Sequence, residues 1–171
     1  ERCTLKCKYC CHGCNYVDNT QIETDLSPQI VKKSADYFFK KFDRVDRFAL
    51  LGGEPFLYKN LNEVVEYIGK NYRDMINEFY FITNGTVIPH DSVLEMCKKY
   101  NISIHISNYS LVNNWLKCKY DILIERLHSM EVSYCLENSS NEWIDFGFKK
   151  EIHTPEEALH LFNICGSQCR E

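Results

Sequence analysis

At 171 residues, with 44% hydrophobic and 26% charged side chains, the chain has the size and make-up of one globular domain with its own core. Twenty basic against twenty-four acidic residues, a net charge of −4, argue against a nucleic-acid-binding surface, which needs a clustered excess of Lys and Arg. No apolar run approaches the roughly 18 residues of a membrane helix, and no secretory hydrophobic segment is present. The opening at Glu1 and the close at Cys169-Arg170-Glu171 read as an excerpt of a longer protein.

The chain begins with its densest chemistry. Of ten cysteines, Cys3, Cys7, Cys10, Cys11 and Cys14 crowd the extreme N-terminus, too close together to staple distant parts of a secreted domain. Clustered thiols in a reducing cytoplasm hold a metal more often than each other, so a cytoplasmic location is expected. Cys97, Cys118 and Cys135 stand singly in or beside hydrophobic patterns and read as small buried hydrophobes.

Beyond the cysteines the pattern alternates. Ser27-Pro28 predicts a helix start, and Ile30, Val31, Ala35, Phe38 and Phe42 give that helix an apolar face. Arg47–Leu51 is a short apolar run stopped by Gly52-Gly53, as a buried strand would be. Leu61, Val64, Val65 and Ile68 predict a second helix, and Phe79–Thr83 a second strand ended by Asn84-Gly85. Ser92 and Glu95 form a capping-box pattern ahead of Val93, Leu94 and Cys97. Ile102–Ser107 is a third strand, with Ile102, Ile104 and Ile106 alternating with Ser103, His105 and Ser107. Ile122, Leu123, Arg126, Leu127 and Met130 fit a helix, and Val132–Leu136 a strand. Residues 137–153 have no clear period and read as a loop or β-excursion. Thr154-Pro155-Glu156-Glu157 starts a last helix. Short strands separated by helices of ten or more residues predict βαβ units on a parallel sheet, with the helices on one side if the sheet curls into a barrel.

Four features carry chemistry. Cys3-x3-Cys7-x2-Cys10 places three thiolates on a short loop, suited to three corners of a cubane iron–sulfur cluster with one iron left open; a zinc ribbon completed by Cys11 or Cys14 is the alternative. Gly52-Gly53-Glu54-Pro55 directly follows a strand, where glycines permit positive φ and close backbone approach to a ligand, though a plain strand-to-loop turn explains them too. Thr83-Asn84-Gly85 ends the second strand, with an Asn-Gly turn as the bland reading. Ser107-Asn108 ends the third. Ligands of parallel α/β folds gather at the C-terminal ends of strands, and the last three features all fall there. His105 either faces a barrel interior, and so a substrate, or is a satisfied core histidine.

These residues resemble the radical S-adenosylmethionine (SAM) superfamily across essentially the whole length. The C-x3-C-x-aromatic-C loop, with Tyr9 in the aromatic place, is the most specific match; Gly52-Gly53-Glu54-Pro55 and Thr83-Asn84-Gly85 match that superfamily's SAM-amino motif and third-strand ending. The resemblance implies a partial (β/α) barrel, parallel strands with outer helices, and a [4Fe–4S] cluster held by Cys3, Cys7 and Cys10. It implies reductive cleavage of SAM to methionine and a 5′-deoxyadenosyl radical that abstracts hydrogen from a substrate. Gly52, Gly53 and Glu54 would hold the SAM amino group and Tyr9 would pack on adenine, with Asn84, Ser107 and Asn108 as candidates for ribose or carboxylate. An electron donor such as flavodoxin or ferredoxin is implied as partner. Leu50–Leu57 together with Cys165 and Cys169 is similar to members carrying a SPASM or twitch extension, which points to a peptide substrate and a second, auxiliary cluster. Residues 1–150 are then the core, its first strand lying before Glu1, and 151–171 the start of that extension. A zinc-binding structural or interaction module, using Cys7, Cys10, Cys165 and Cys169, is the alternative of a different class. An iron–sulfur electron carrier with Cys14 on the fourth iron is a third.

Overall fold

The computed structural model of the chain describes residues 2–8, 10, 12–14, 25–110, 114–138 and 154–164. Helix α1 (Pro28–Phe39) starts where the sequence predicts: Ser27 Oγ accepts the Ile30 N–H at 3.3 Å and Pro28 occupies the first turn. Strand β1 (Val45–Leu50), helix α2 (Leu61–Tyr72), strand β2 (Ile76–Thr83), helix α3 (Asp91–Lys99), strand β3 (Ile102–Asn108), helix α4 (Asn114–Ser129), strand β4 (Tyr134–Asn138) and helix α5 (Pro155–Ile164) follow. The strands lie in the order β1-β2-β3-β4 and every neighbouring pair is parallel. Sequential parallel strands joined by helices form the wall of a (β/α) barrel, the architecture expected from the alternation.

The pleat divides the sheet into two unlike faces. Phe48, Leu50, Phe79, Phe81, Ile102, Ile104 and Ile106 point to one side, where Ala35, Phe39, Val64, Val65, Ile68, Leu94, Leu116, Tyr120, Leu123 and Leu127 of α1–α4 complete one core. The opposite face carries Arg47, Glu78, Tyr80, Ser103, His105 and Glu137 on adjoining strands. There Arg47 Nε donates to Glu78 at 2.8 Å, Tyr80 stacks on His105 with centroids 4.2 Å apart, and His105 Nδ1 meets Glu137 Oε1 at 2.8 Å. His105 is therefore both the inward-facing residue of the alternation and a buried, partnered one.

Several expectations need correcting. Ser92 is not a cap: His90 takes that position, so α3 begins two residues earlier than expected, and Ser92 Oγ instead accepts from Asn62 Nδ2 at 2.8 Å, tying α2 to α3. Of the three lone cysteines only Cys97 is buried, and burial pushes its thiol up to about 12; Cys118 and Cys135 are exposed. Cys118 sits between the inward Leu116 and Tyr120 of α4, and Cys135 points away from the core. Ile30 and Ile122 lie on outer helix surfaces, and Phe42 lies beyond the end of α1 but still packs its ring on Phe38. Strand β4 begins two residues later than predicted, because Val132 N–H is drawn back to the Leu127 carbonyl at 2.9 Å in the turn that closes α4. The predicted capping box of α5 forms, Glu157 N–H donating to Thr154 Oγ1 at 3.2 Å and Thr154 N–H to the Glu157 carboxylate at 2.9 Å.

The two faces of α4 give a direct check on this packing. Leu123 is fully buried and Ile122 is 51% exposed. Leu123→Ala is expected to lower unfolding stability by about 2–5 kcal/mol, and Ile122→Ala by no more than about 0.5 kcal/mol, measured by urea denaturation followed by circular dichroism.

Candidate active site at the strand ends

Three of the sequence features meet in one hydrogen-bonded assembly. Glu54, directly after β1, is 3% exposed and turns its carboxylate inward. Thr83 Oγ1 lies 2.9 Å from both carboxylate oxygens, Asn84 N–H donates to Oε2 at 3.0 Å, and Phe56 N–H donates to Oε1 at 3.3 Å. Burial pushes the Glu54 carboxyl above its usual range, an effect opposed by those three donors. The ends of β1 and β2 are thus joined through one buried side chain.

The cysteine loop docks onto this joint. Glu54 N–H donates to the Arg2 carbonyl at 2.8 Å. Gly53 permits the approach: a Cβ there would lie 2.2 Å from the Arg2 oxygen, whereas at Gly52 it would meet nothing within 4 Å. The close approach expected of the glycine pair is real, but it is made by Gly53 alone and to the protein's own chain, and neither glycine has a positive φ. On the other side Asn84 Nδ2 reaches Thr4 Oγ1 at 3.1 Å and Cys3 Sγ at 3.5 Å. Arg2 pairs with Asp25 at 2.5 Å and donates to the Leu57 carbonyl, so the stretch just before the cysteines is held to the stretch just before α1.

Cys3, Cys7 and Cys10 are each partly buried; Cys10 lies close enough to act on the thiols of Cys3 and Cys7, and Cys3 on that of Cys7. Burial raises the thiols of Cys3 and Cys7, and for Cys3 the Leu5 N–H and the Asn84 amide act in the opposite direction. Among the described residues no three His, Cys, Asp or Glu side chains are gathered tightly enough for a single metal ion. Cys3, Cys7 and Cys10, three part-buried thiols on one short loop, are in their chemistry a donor set that a [4Fe–4S] cluster would accept at three corners. Cys14 is 3% exposed. Tyr9, Cys11, Cys165 and Cys169 lie outside the described residues.

The end of β3 repeats the device used at β2. Asn84 Oδ1 accepts the Thr86 N–H at 2.9 Å, and Asn108 Oδ1 accepts the Ser110 N–H at 3.0 Å, with the Thr86 and Ser110 hydroxyls adding bonds of 2.6 Å each. Both are Asx turns. Tyr120 braces the pair: its ring occupies the space a Cβ on Gly85 (φ +71°) would need, and its hydroxyl donates to the Ser107 carbonyl at 2.9 Å and accepts from Tyr109 N–H at 3.1 Å. Ser107 and Asn108 therefore lie at the same edge as Glu54 and Asn84, with the Asn108 carboxamide oxygen already engaged. Tyr109, which the motifs did not single out, lies within electrostatic reach of Cys7 and Cys10; burial raises its phenol, and these two thiols add to the shift. The signal for the turns was present as Asn-x-Thr and Asn-x-Ser at two strand ends. An apolar cavity of about 270 Å³, lined by Val31, Leu50, Leu57, Leu61 and Val64 among others, lies behind Gly53 on the helix side.

Comparison with known proteins agrees with this geometry. The model of the Radical SAM superfamily matches residues 1–127, and the chain belongs to that superfamily. It is 32% identical over 108 residues to the uncharacterized protein MJ0907 of Methanocaldococcus jannaschii, covering 63% of this chain and 35% of that protein. It is 32% identical over 105 residues to AlbA, the antilisterial bacteriocin subtilosin biosynthesis protein of Bacillus subtilis, covering 61% of this chain and 21% of that protein. The chain thus spans about a third and a fifth of these relatives. A solved structure described as native anSMEcpe with bound AdoMet shares the fold at a TM-score of 0.59 and 20% identity, covering 77% of this chain and 40% of that one.

The contrast between the two glycines is testable. Gly53→Ala is expected to displace Arg2–Cys3 and lose most of the roughly four irons a reconstituted [4Fe–4S] protein carries, while Gly52→Ala keeps them. Iron and sulfide analysis after anaerobic reconstitution reads the difference.

Proposed function

We propose that the chain is the core of a radical SAM enzyme that cleaves SAM reductively and abstracts hydrogen from a peptide. The observation that carries the reading is the docking of the Cys3–Cys10 loop onto Gly53, Glu54 and Asn84 at the C-terminal ends of β1 and β2. A zinc module leaves these strand-end motifs as coincidences; here they bond to one another and to the loop.

In this reading Cys3, Cys7 and Cys10 would hold the cluster, with SAM bound beside it. Cluster and SAM would supply the electron transfer and S–C5′ bond cleavage that yield methionine and the 5′-deoxyadenosyl radical. The protein's part is to position and to exclude. Glu54 orients the motif; with its carboxylate engaged by Thr83, Asn84 and Phe56, the backbone of Gly52 and Gly53 is left to receive the SAM amino group. Tyr9 on adenine and Ser107 near the ribose complete the assignment. Tyr109, beside Cys7 and Cys10, screens the cluster from water.

The peptide substrate is supported by the similarity to AlbA, a protein of bacteriocin biosynthesis, and by the polar face of the sheet. Tyr80, His105 and Glu137 there offer stacking and hydrogen bonds rather than an apolar slot. Residues 1–150 act as the catalytic core, and 151–171 open an extension in which Cys165 and Cys169 contribute to an auxiliary cluster. A flavodoxin or ferredoxin delivers the electron in a reducing cytoplasm. Among the described residues no helix is long and apolar enough to cross a membrane.

Replacing Cys3, Cys7 and Cys10 together with alanine should abolish 5′-deoxyadenosine formation by the anaerobically reconstituted full-length protein; formation at the wild-type rate refutes the assignment. Peptides encoded beside the gene should gain a SAM-dependent mass change. In that assay His105→Ala should lose the peptide product while still producing 5′-deoxyadenosine. Iron beyond about four per chain, lost in the Cys165→Ala, Cys169→Ala double variant, is the result expected for the auxiliary cluster.

A further inference from the structure

The carboxamide of Asn84 has only one orientation that satisfies its neighbours. Its Oδ1 accepts the Thr86 N–H at 2.9 Å in the Asx turn, and a reversed amide would set two donors against each other there. With the oxygen fixed, both Nδ2 protons face the cysteine loop, one toward Thr4 Oγ1 at 3.1 Å and the other toward Cys3 Sγ at 3.5 Å. Cys3 Sγ also accepts the Leu5 N–H at 3.4 Å, a bond internal to the loop. Asn84 is thus the long-range donor to this sulfur, and it is buried at 8% exposure and pinned by Glu54 through its own N–H. The sequence motif suggested ribose or carboxylate of SAM as its partner; within the protein its side chain bonds Thr4, Thr86 and Cys3.

We propose that Asn84 is a positioning residue that tunes the cluster, its side-chain N–H donating to Cys3 Sγ and raising the cluster's reduction potential. The inference rests on the reading of Cys3 as a cluster ligand. Reduction adds negative charge that is shared by the ligating sulfurs, so a donor to one of them stabilises the reduced state more than the oxidised one. The same bond sets the rotamer of Cys3, and the Glu54–Asn84 link carries the placement of β1 and β2 into the electronic environment of that sulfur.

The test uses full-length wild type, Asn84→Asp, Asn84→Ala and Thr4→Val, each reconstituted anaerobically, assayed for iron and poised at a series of potentials without SAM. Paramagnetic resonance reads the reduced cluster. Asn84→Asp keeps the acceptor for Thr86 but replaces the donor with a charge. At the wild-type midpoint its ratio of reduced to oxidised cluster should fall about tenfold, which for one electron is 59 mV. Asn84→Ala should shift in the same direction by less, and Thr4→Val should stay at the wild-type midpoint. Full iron content with an unchanged midpoint in both Asn84 variants overturns the inference and leaves the ligand assignment standing. A wild type that takes up no cluster overturns the ligand assignment itself. If the variants fail to load, the wild type decides: with 15N-asparagine, pulsed resonance of the reduced cluster should show a coupling to asparagine nitrogen, and its absence overturns the inference.

Discussion

The site hangs on a carboxylate that never reaches the surface. Burying the Glu54 side chain would be costly alone, and it is stable because the end of β2 supplies the Thr83 hydroxyl and the Asn84 N–H at the one place where β1 has just released the chain. Removing the carboxylate would leave those buried donors unpaired, at about 1–3 kcal/mol each. Its backbone, at the same time, receives Arg2. One residue therefore fixes the relative height of two strand ends and the landing point of the cysteine loop, and Gly53 removes the Cβ that would hold the loop off.

The two faces of the sheet divide labour in a way that follows from the parallel topology. Right-handed crossovers send α2, α3 and α4 to one side, where α1 joins them, so that side is apolar from Phe48 across Phe79 and Phe81 to Ile104. The other side is free to carry Arg47, Glu78, Tyr80, His105 and Glu137, each paired laterally to a neighbour one strand away. Arg47 and Glu78, opposite each other on β1 and β2, offset each other's charge while keeping the face polar.

Much of this was legible in the sequence because it is local. Ser27-Pro28, Thr154 with Glu157, and the apolar stripes of α2 and α3 are settled by residues within a turn or two of each other. The strand-end motifs were visible as motifs, and so was their common edge. What they touch was not, because it depends on contacts between distant segments: Glu54 with Thr83, Asn84 with Cys3, Tyr120 with Ser107. That the side chains of Glu54 and Asn84 are engaged by the protein could only come from the register of β1 and β2. Ser92 misled for a related reason, since Asn62 on another helix claims its hydroxyl. Cys118 and Cys135 misled because a hydrophobic neighbourhood in sequence does not say which side of a helix or strand a residue takes.

The order of the chain has a consequence for assembly. Cys3 and Thr4 leave the ribosome well before the residues that hold them in place, which follow 80 to 82 positions later. At a synthesis rate of about 5–20 residues per second the loop waits about 4–16 seconds for them. During that interval Cys3, Cys7, Cys10, Cys11 and Cys14 are a thiol-rich segment without those partners, open to oxidation and to any metal ion at hand. The native placement of Cys3 and Thr4 therefore waits on β2, whose end carries Asn84 and which pairs with β1.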